Sequence, residues 1–401
     1  MTHPVIIIGA GLAGWTTVRE FRKLDTTTPV VLVTADSGDF YAKPTLSNAY
    51  AQKRSPEQLI STPAAKMVET LNVTLLAHTQ VTAIDPAAHT ITTTAHGVEQ
   101  SLPYRQLVLA TGAQPIRVPV QGDAAARVLS VNSLDDFKVF HSGLSPRGIS
   151  ADSSQEDSKT IVIMGAGLIG CEFANDLTHA GHRVHVADPA AKPLALLLPD
   201  TASDQLTQAL AALGVQWHLG ATVQAVNKVS AAGAPDQGLQ VTLSDGSTVQ
   251  ADAVLSAIGL RADTALAVAA GIACERGVVV NTHLQTSAAD VYALGDCGQY
   301  ASAGARTLPY VMPIMNAGRA LAATLAGKPT EVVFPLMPVS IKTPALPIVV
   351  AAAHPALPGQ WVADDELGVW RFMDADGAQR GFVLTGPQTT RRMELAKTTL
   401  V

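Results

Sequence analysis

The chain has 401 residues, 47% hydrophobic and 15% charged, and carries 27 Lys plus Arg against 33 Asp plus Glu, a formal net charge of −6. This is the composition of a globular, multidomain chain, and it excludes wholesale disorder, a collagen and a coiled-coil rod. The acidic balance argues against a nucleic-acid-binding protein, which needs cations for phosphates. Cys171, Cys274 and Cys297, without close spacing, argue against a disulfide scaffold, a zinc cage and a CxxC redox pair.

In chain order, Val5 to Ile8 is a continuous apolar run, as a parallel strand buried on both faces requires. A glycine turn from Gly9 to Gly14 opens a helix through about Leu24, and Val30 to Val33 is the next strand. The same unit recurs as strand Ile161–Met164, turn Gly165–Gly170, a helix and strand Val184–Ala187, with Gly165 lying 156 residues after Gly9. The module ends also echo each other, LVLATGA at 107–113 and AVLSAIG at 253–259, so two similar modules organise the chain. Segment 143–158 is Ser/Asp-rich and reads as an exposed or disordered loop. A β-meander follows, turning at Asp245-Gly246. From about Glu331 a smaller α+β domain is predicted, with strands around Asp376-Gly377. The start, MTHPVIIIGAGLAG, lacks the basic n-region of a signal peptide, and the uncharged run at 343–363 is broken by Pro344, Pro347, Pro355 and Pro358. A soluble, cytoplasmic protein with no membrane insertion is expected.

Gly9-Ala10-Gly11-Leu12-Ala13-Gly14 is GxGxxG. Its first glycine permits the tight turn, the second lets backbone approach a pyrophosphate, and the third allows close helix–strand packing. The helix N-terminus adds free N–H donors and partial positive charge. Asp36, 22 residues after Gly14, is placed to accept from a ribose hydroxyl. Gly165-Ala166-Gly167-Leu168-Ile169-Gly170 is a second copy, with Asp188 as its acid. A carboxylate there favours a free 2′-hydroxyl and repels a 2′-phosphate, which points to NADH over NADPH. Two dinucleotide sites in one chain suggest a hydride donor and a flavin. No histidine pattern indicates a metal.

These nested fingerprints, with LVLATGA and TSAADVYALGDC, resemble the two-dinucleotide-binding FAD/NAD(P)H reductases, over essentially the whole chain. The strings YAKPTLS, GCEFANDL and IKTPA resemble the rubredoxin reductases in particular. The resemblance implies an α/β fold of two nested Rossmann-like, glutathione-reductase-like domains plus a small C-terminal α+β domain. It implies an FAD domain from 1–117 and 248–330, an NAD domain at 118–247 with a loop insertion at 143–158, and a C-terminal domain at 331–401. Residue by residue, Gly9 through Gly14 would cradle the FAD pyrophosphate. Thr34, Ala35 and Asp36 would meet the adenosine ribose, and Val81 the adenine. Thr111 and Gly112 would close the FAD wall, Asp296 would bond the ribityl or pyrophosphate chain, and Val311 and Lys342 would line the isoalloxazine edge. The NAD site would use Gly165, Gly167, Leu168, Ile169, Gly170, Asp188 and Gly259.

The resemblance also makes Lys43 and Glu172 the catalytic pair beside the flavin; the bland reading is a salt bridge between domains. YAKPTLSNAY contains no cysteine where the disulfide reductases of this superfamily carry a redox pair. Electrons would therefore leave directly from flavin to an iron–sulfur acceptor, rubredoxin, whose iron sits in four thiolates. Arg391, Arg392 and Lys397 are candidates for a basic docking patch, opposed by Glu394. A monomer is the default. Two other readings stay open: a ferredoxin reductase feeding an oxygenase, and a non-catalytic sensor that keeps FAD as structural glue.

Overall fold

A computed structural model of the chain describes residues 3–144, 158–229 and 238–400. It divides into two units, one of Met1–Lys43, Gln58–Gln114 and Leu260–Pro335, the other of Pro44–Glu57, Pro115–Gly259 and Leu336–Val401.

The first unit is built on a five-stranded parallel sheet in the order Val291–Ala293, Gln106–Leu109, Val5–Ile8, Val30–Val33, Thr74–Leu76. Val5–Ile8 and Gln106–Leu109 are buried along their whole length, which is why their sequences do not alternate. Helix Leu12–Arg22 buries Trp15, Val18 and Phe21, and Trp15 Nε1 donates to the Gly38 carbonyl at 3.0 Å. Helix Val311–Leu325 reaches the same helix through Gly318, where a Cβ would sit 2.7 Å from Thr16 Cγ2. A three-stranded antiparallel meander, Gln80–Asp85, Thr90–Ala95 and Val98–Pro103, completes the module.

The second unit repeats this plan. Its parallel sheet runs Val128–Leu129, Ala253–Ser256, Thr160–Met164, Arg183–Asp188, Gln216–Leu219, and its meander is Val223–Lys228, Leu239–Leu243, Thr248–Ala251. Gly246 turns the last hairpin at φ +85°, as the Asp-Gly pair predicts. The five C-terminal strands form an antiparallel sheet, with Gly377 at φ +75° between Val369–Asp374 and Gln379–Thr385.

Three segments set the limits of the modules. Ala253–Ser256 hydrogen-bonds beside Thr160–Met164, so residues 248–259 belong to the second module and the return to the first begins at Leu260. Ile341, Ile348, Val350, Trp370 and Val383 of the C-terminal sheet share one core with Phe173, Leu206 and Leu210 of the second module. Trp370 Nε1 also donates to Thr201 Oγ1 at 2.9 Å, and Thr385 Oγ1 to Gln205 Oε1 at 2.8 Å. Helix Leu134–Leu144 runs into the start of the expected 143–158 loop, of which residues 145–157 lie outside the described residues.

Candidate functional site

In the first fingerprint the three glycines answer different needs. Gly9 has φ +109°, and a Cβ there would lie 2.2 Å from the Ala110 carbonyl oxygen. A Cβ at Gly14 would lie 1.9 Å from the Gly9 carbonyl oxygen. Gly11 differs: its φ is −74° and no atom lies within 4 Å of a built Cβ. The protein's own packing does not require glycine at position 11, so the missing side chain leaves a cradle over the open helix N-terminus. No side chain caps that helix, which leaves its first N–H donors for an outside group.

The acid comes from the end of Val30–Val33. Asp36 Oδ1 accepts from Thr34 Oγ1 at 2.7 Å and from the Gly38 N–H at 2.9 Å, which aims the carboxylate and leaves Oδ2 for a ribose hydroxyl. Thr34 is buried and Ala35 exposed, and Val81 is buried in strand Gln80–Asp85. Thr111 Oγ1 donates to the Asp263 carbonyl at 2.8 Å, and the Asp263 N–H returns to the Gly112 carbonyl at 3.0 Å. Gly112 has φ +75° and open space where a Cβ would be. Lys43 Nζ lies 3.9 Å from Asp296 Oδ2. Burial pushes the Asp296 carboxyl above its ordinary value and the Lys43 ammonium opposes that rise. Val311 is the exposed first residue of helix Val311–Leu325.

The second fingerprint repeats the pattern. Gly165 has φ +100° against the Ala257 carbonyl, a Cβ at Gly170 would lie 1.9 Å from the Gly165 oxygen, and Gly167 again has nothing within 4 Å. Leu168 and Ile169 open the helix, with Ile169 exposed. Gly259 takes φ +113° at the module's end. Asp188 is more constrained than the sequence suggests. Its Oδ2 accepts from the Ala166 N–H and its Oδ1 from the Ala190 N–H, both at 2.7 Å, so it also fixes the glycine turn. Each carboxylate oxygen keeps a second lone pair for a ribose hydroxyl.

Lys43 and Glu172 each sit beside an opposite charge within their own unit. Glu172 forms an ion pair with Lys342, and Lys43 faces Asp296. Glu172 is buried at 4% exposure on helix Leu168–His179. Its Oε2 accepts from Lys342 Nζ and, at 2.6 Å, from Ser47 Oγ, while its Oε1 accepts from the Lys342 backbone N–H at 3.0 Å. Lys342 Nζ also donates to Ser47 Oγ at 3.2 Å, closing a three-residue ring. Lys342 thus offers the carboxylate both a backbone and a side-chain donor.

Two further acceptors sit three and four residues along the same helix. Asn175 Oδ1 takes the Ala345 N–H at 3.0 Å, and Asp176 takes the N–H groups of Tyr50 and Ala51, each at 2.9 Å. Burial raises the Asp176 carboxyl, and those N–H bonds counter it. Sequence reasoning missed Ser47, Asn175 and Asp176, although all lie within the strings that carried the resemblance. The available signal was the i, i+3, i+4 spacing of polar side chains on an otherwise buried helix.

The cysteines are free, Cys171 and Cys297 are buried, and burial raises all three thiols, so none is poised as a thiolate. Among the described residues no cluster of three or more metal-ligating side chains occurs, and no helix is long and apolar enough to cross a membrane. The expected C-terminal basic patch is partly neutralised: Arg391 pairs with Glu366 and, at 2.7 Å, with Glu394.

Residues 3–320 match the pyridine nucleotide-disulphide oxidoreductase family, and residues 331–399 match the rubredoxin binding C-terminal domain. The chain is 43% identical over 401 residues to rubredoxin-NAD(+) reductase of Acinetobacter baylyi, covering 100% of this chain and 98% of that one. It is 42% identical over 398 residues to rubredoxin-NAD(+) reductase of Alcanivorax borkumensis, covering 98% of each. In fold it is similar to a crystal structure of the covalent putidaredoxin reductase–putidaredoxin complex, with TM-score 0.85 and 24% identity, covering 99% of this chain and 93% of that one. With both fingerprints intact, the charged residues described and relatives matched end to end, the chain belongs to the pyridine nucleotide-disulphide oxidoreductase family, in the group of the rubredoxin-NAD(+) reductases.

Proposed function

We propose that the chain is an FAD-dependent rubredoxin reductase that takes hydride from NADH and delivers electrons singly to the Fe(Cys)4 centre of rubredoxin. The observation that carries this reading is the pair of glycines, Gly11 and Gly167, that the protein's own packing does not require, each at an uncapped fingerprint helix. A balanced turnover oxidises one NADH to NAD+ and a proton and reduces two rubredoxins. Bound FAD supplies the two-electron acceptor that can be reoxidised one electron at a time.

The chain's own residues bind and orient. In the first unit, the N–H groups of Gly9–Gly14 would hold the pyrophosphate, and Asp36 Oδ2 the ribose, with Thr34 and Ala35 flanking. Val81 would meet the adenine, and Thr111 and Gly112 the wall of the site. Asp296 would accept from the ribityl chain and Lys43 would hold positive charge beside it. Val311 would present an uncapped helix end. In the second unit, Gly165, Gly167, Leu168, Ile169, Gly170 and Gly259 would receive NADH, with Asp188 at its ribose. Glu172 and Ser47 would hold the Lys342 ammonium in one orientation for the flavin edge. The lack of a poised thiol supports direct transfer to an iron centre.

In this reading the protein works as a cytoplasmic monomer and supplies a hydroxylase or an oxygen- or nitric-oxide-reducing system. The test is anaerobic turnover with NADH and either purified rubredoxin or purified ferredoxin. Two rubredoxins reduced per NADH, with ferredoxin slow, supports the reading; preference for ferredoxin would move the protein to oxygenase supply. NADH that leaves the flavin oxidised would revive the sensor reading.

A further inference from the structure

The turn that follows Asp188 carries an inference resting on the NADH reading above. In a dinucleotide fold the acid ending this strand meets the ribose 2′-hydroxyl, and a cation shortly after it accommodates a 2′-phosphate. Lys192 is the sole Lys or Arg between Asp188 and Asp204. Its turn is tied to the fingerprint: the Leu194 N–H donates to the Ala166 carbonyl at 2.9 Å, while the Ala166 N–H donates to Asp188. Lys192 therefore lies on a turn anchored to the fingerprint. Its ammonium is nonetheless committed elsewhere. Nζ lies 2.8 Å from the Asp204 carboxylate, 3.4 Å from the Asp200 carbonyl and 3.8 Å from the Asp200 carboxylate. Helix Asp200–Leu213 supplies both acids, and buried Ser203 pins the turn to that helix by donating to the Pro193 carbonyl at 2.8 Å.

We propose that Asp204 is a specificity-determining positioning residue that enforces NADH over NADPH by holding Lys192 away from the ribose 2′ position. The site then meets a 2′-phosphate with the Asp188 carboxylate while the Lys192 ammonium stays on Asp204. Freed of Asp204, the lysine can turn to a 2′-phosphate while the contacts to a 2′-hydroxyl stay as they are.

The experiment compares Asp204→Asn, the double variant Asp200→Asn/Asp204→Asn, Lys192→Met and Lys192→Met/Asp204→Asn as holoenzymes. It reads kcat and KM for NADH and NADPH with ferricyanide as acceptor, and NADP+ affinity by calorimetry. Asp204→Asn is expected to raise the NADPH-to-NADH ratio of kcat/KM by about threefold to fivefold, the range of one partly exposed charge pair. The change is expected in KM for NADPH, and to shrink in high salt. Lys192→Met alone is expected to leave the wild-type ratio unchanged, and to abolish the gain when combined with Asp204→Asn. An unchanged ratio and NADP+ affinity in both Asp204 variants, or a gain that survives Lys192→Met, would overturn the proposal. Wild-type holoenzyme that NADH does not reduce and that binds neither NAD+ nor NADP+ would instead overturn the NADH reading itself, and this proposal with it.

Discussion

Gly11 and Gly14 lie three residues apart in one turn, yet substituting them is expected to have opposite consequences. Gly14→Ala drives a methyl into the Gly9 carbonyl and is expected to cost about 1–3 kcal/mol of stability as overpacking, read by urea unfolding. Gly11→Ala meets open space, so the fold is expected to melt unchanged while FAD affinity falls, read by flavin retention on dilution. Lys43→Met removes the cation at Asp296 and is expected to slow flavin reduction by NADH, by roughly ten- to a hundredfold if Lys43 stabilises developing negative charge. An unchanged rate would take Lys43 out of the mechanism. Asp296 also gives a pH dependence. Its carboxyl is raised above the ordinary value chiefly by burial, so the folded state holds that proton more tightly than the unfolded chain. The resulting stability is present below the ordinary carboxylate range and is lost as pH rises through the raised value. Asp296→Asn is therefore expected to raise the melting temperature of FAD-free protein at pH 7 and to change it less at pH 4.

At the scale of elements, helix Leu168–His179 unites three strings that sequence reading could only quote side by side. Glu172 holds Lys342 and Ser47, Asn175 holds Ala345, and Asp176 holds the backbone of residues 50 and 51. Lys342→Met is expected to leave a buried carboxylate without its counter-ion and to cost about 3–5 kcal/mol, read by chemical denaturation. The parallel strands and glycine turns were legible because a strand buried on both faces and a fingerprint turn are written in consecutive residues. The Glu172–Lys342 contact was not, because Lys342 follows Glu172 by 170 residues and the register of the C-terminal sheet brings it there. Within the second module, Thr248–Ala251 pairs with Leu239–Leu243 and Ala253–Ser256 with Thr160–Met164.

At the scale of the molecule, the chain holds two copies of one dinucleotide-binding plan, and each copy keeps a glycine that its own packing leaves unexplained. Ile348, Val350, Trp370 and Val383 of the C-terminal sheet extend the core of the second copy, while Val349, Ala351, Val369, Phe382 and Leu384 form a separate core with Leu395. Its surface is less cationic than the sequence implies, because Arg391 is shared between Glu366 and Glu394. The central claim is an electron path from NADH through a flavin to a one-electron iron acceptor without a thiol relay. Anaerobic stopped-flow mixing of the holoenzyme with NADH and oxidised rubredoxin tests it most directly, because flavin and iron absorb at separable wavelengths. Flavin bleaching that precedes rubredoxin reduction, with two irons reduced per NADH and no effect of thiol alkylation, is the expected result. Rubredoxin that stays oxidised while the flavin is fully bleached would contradict the account.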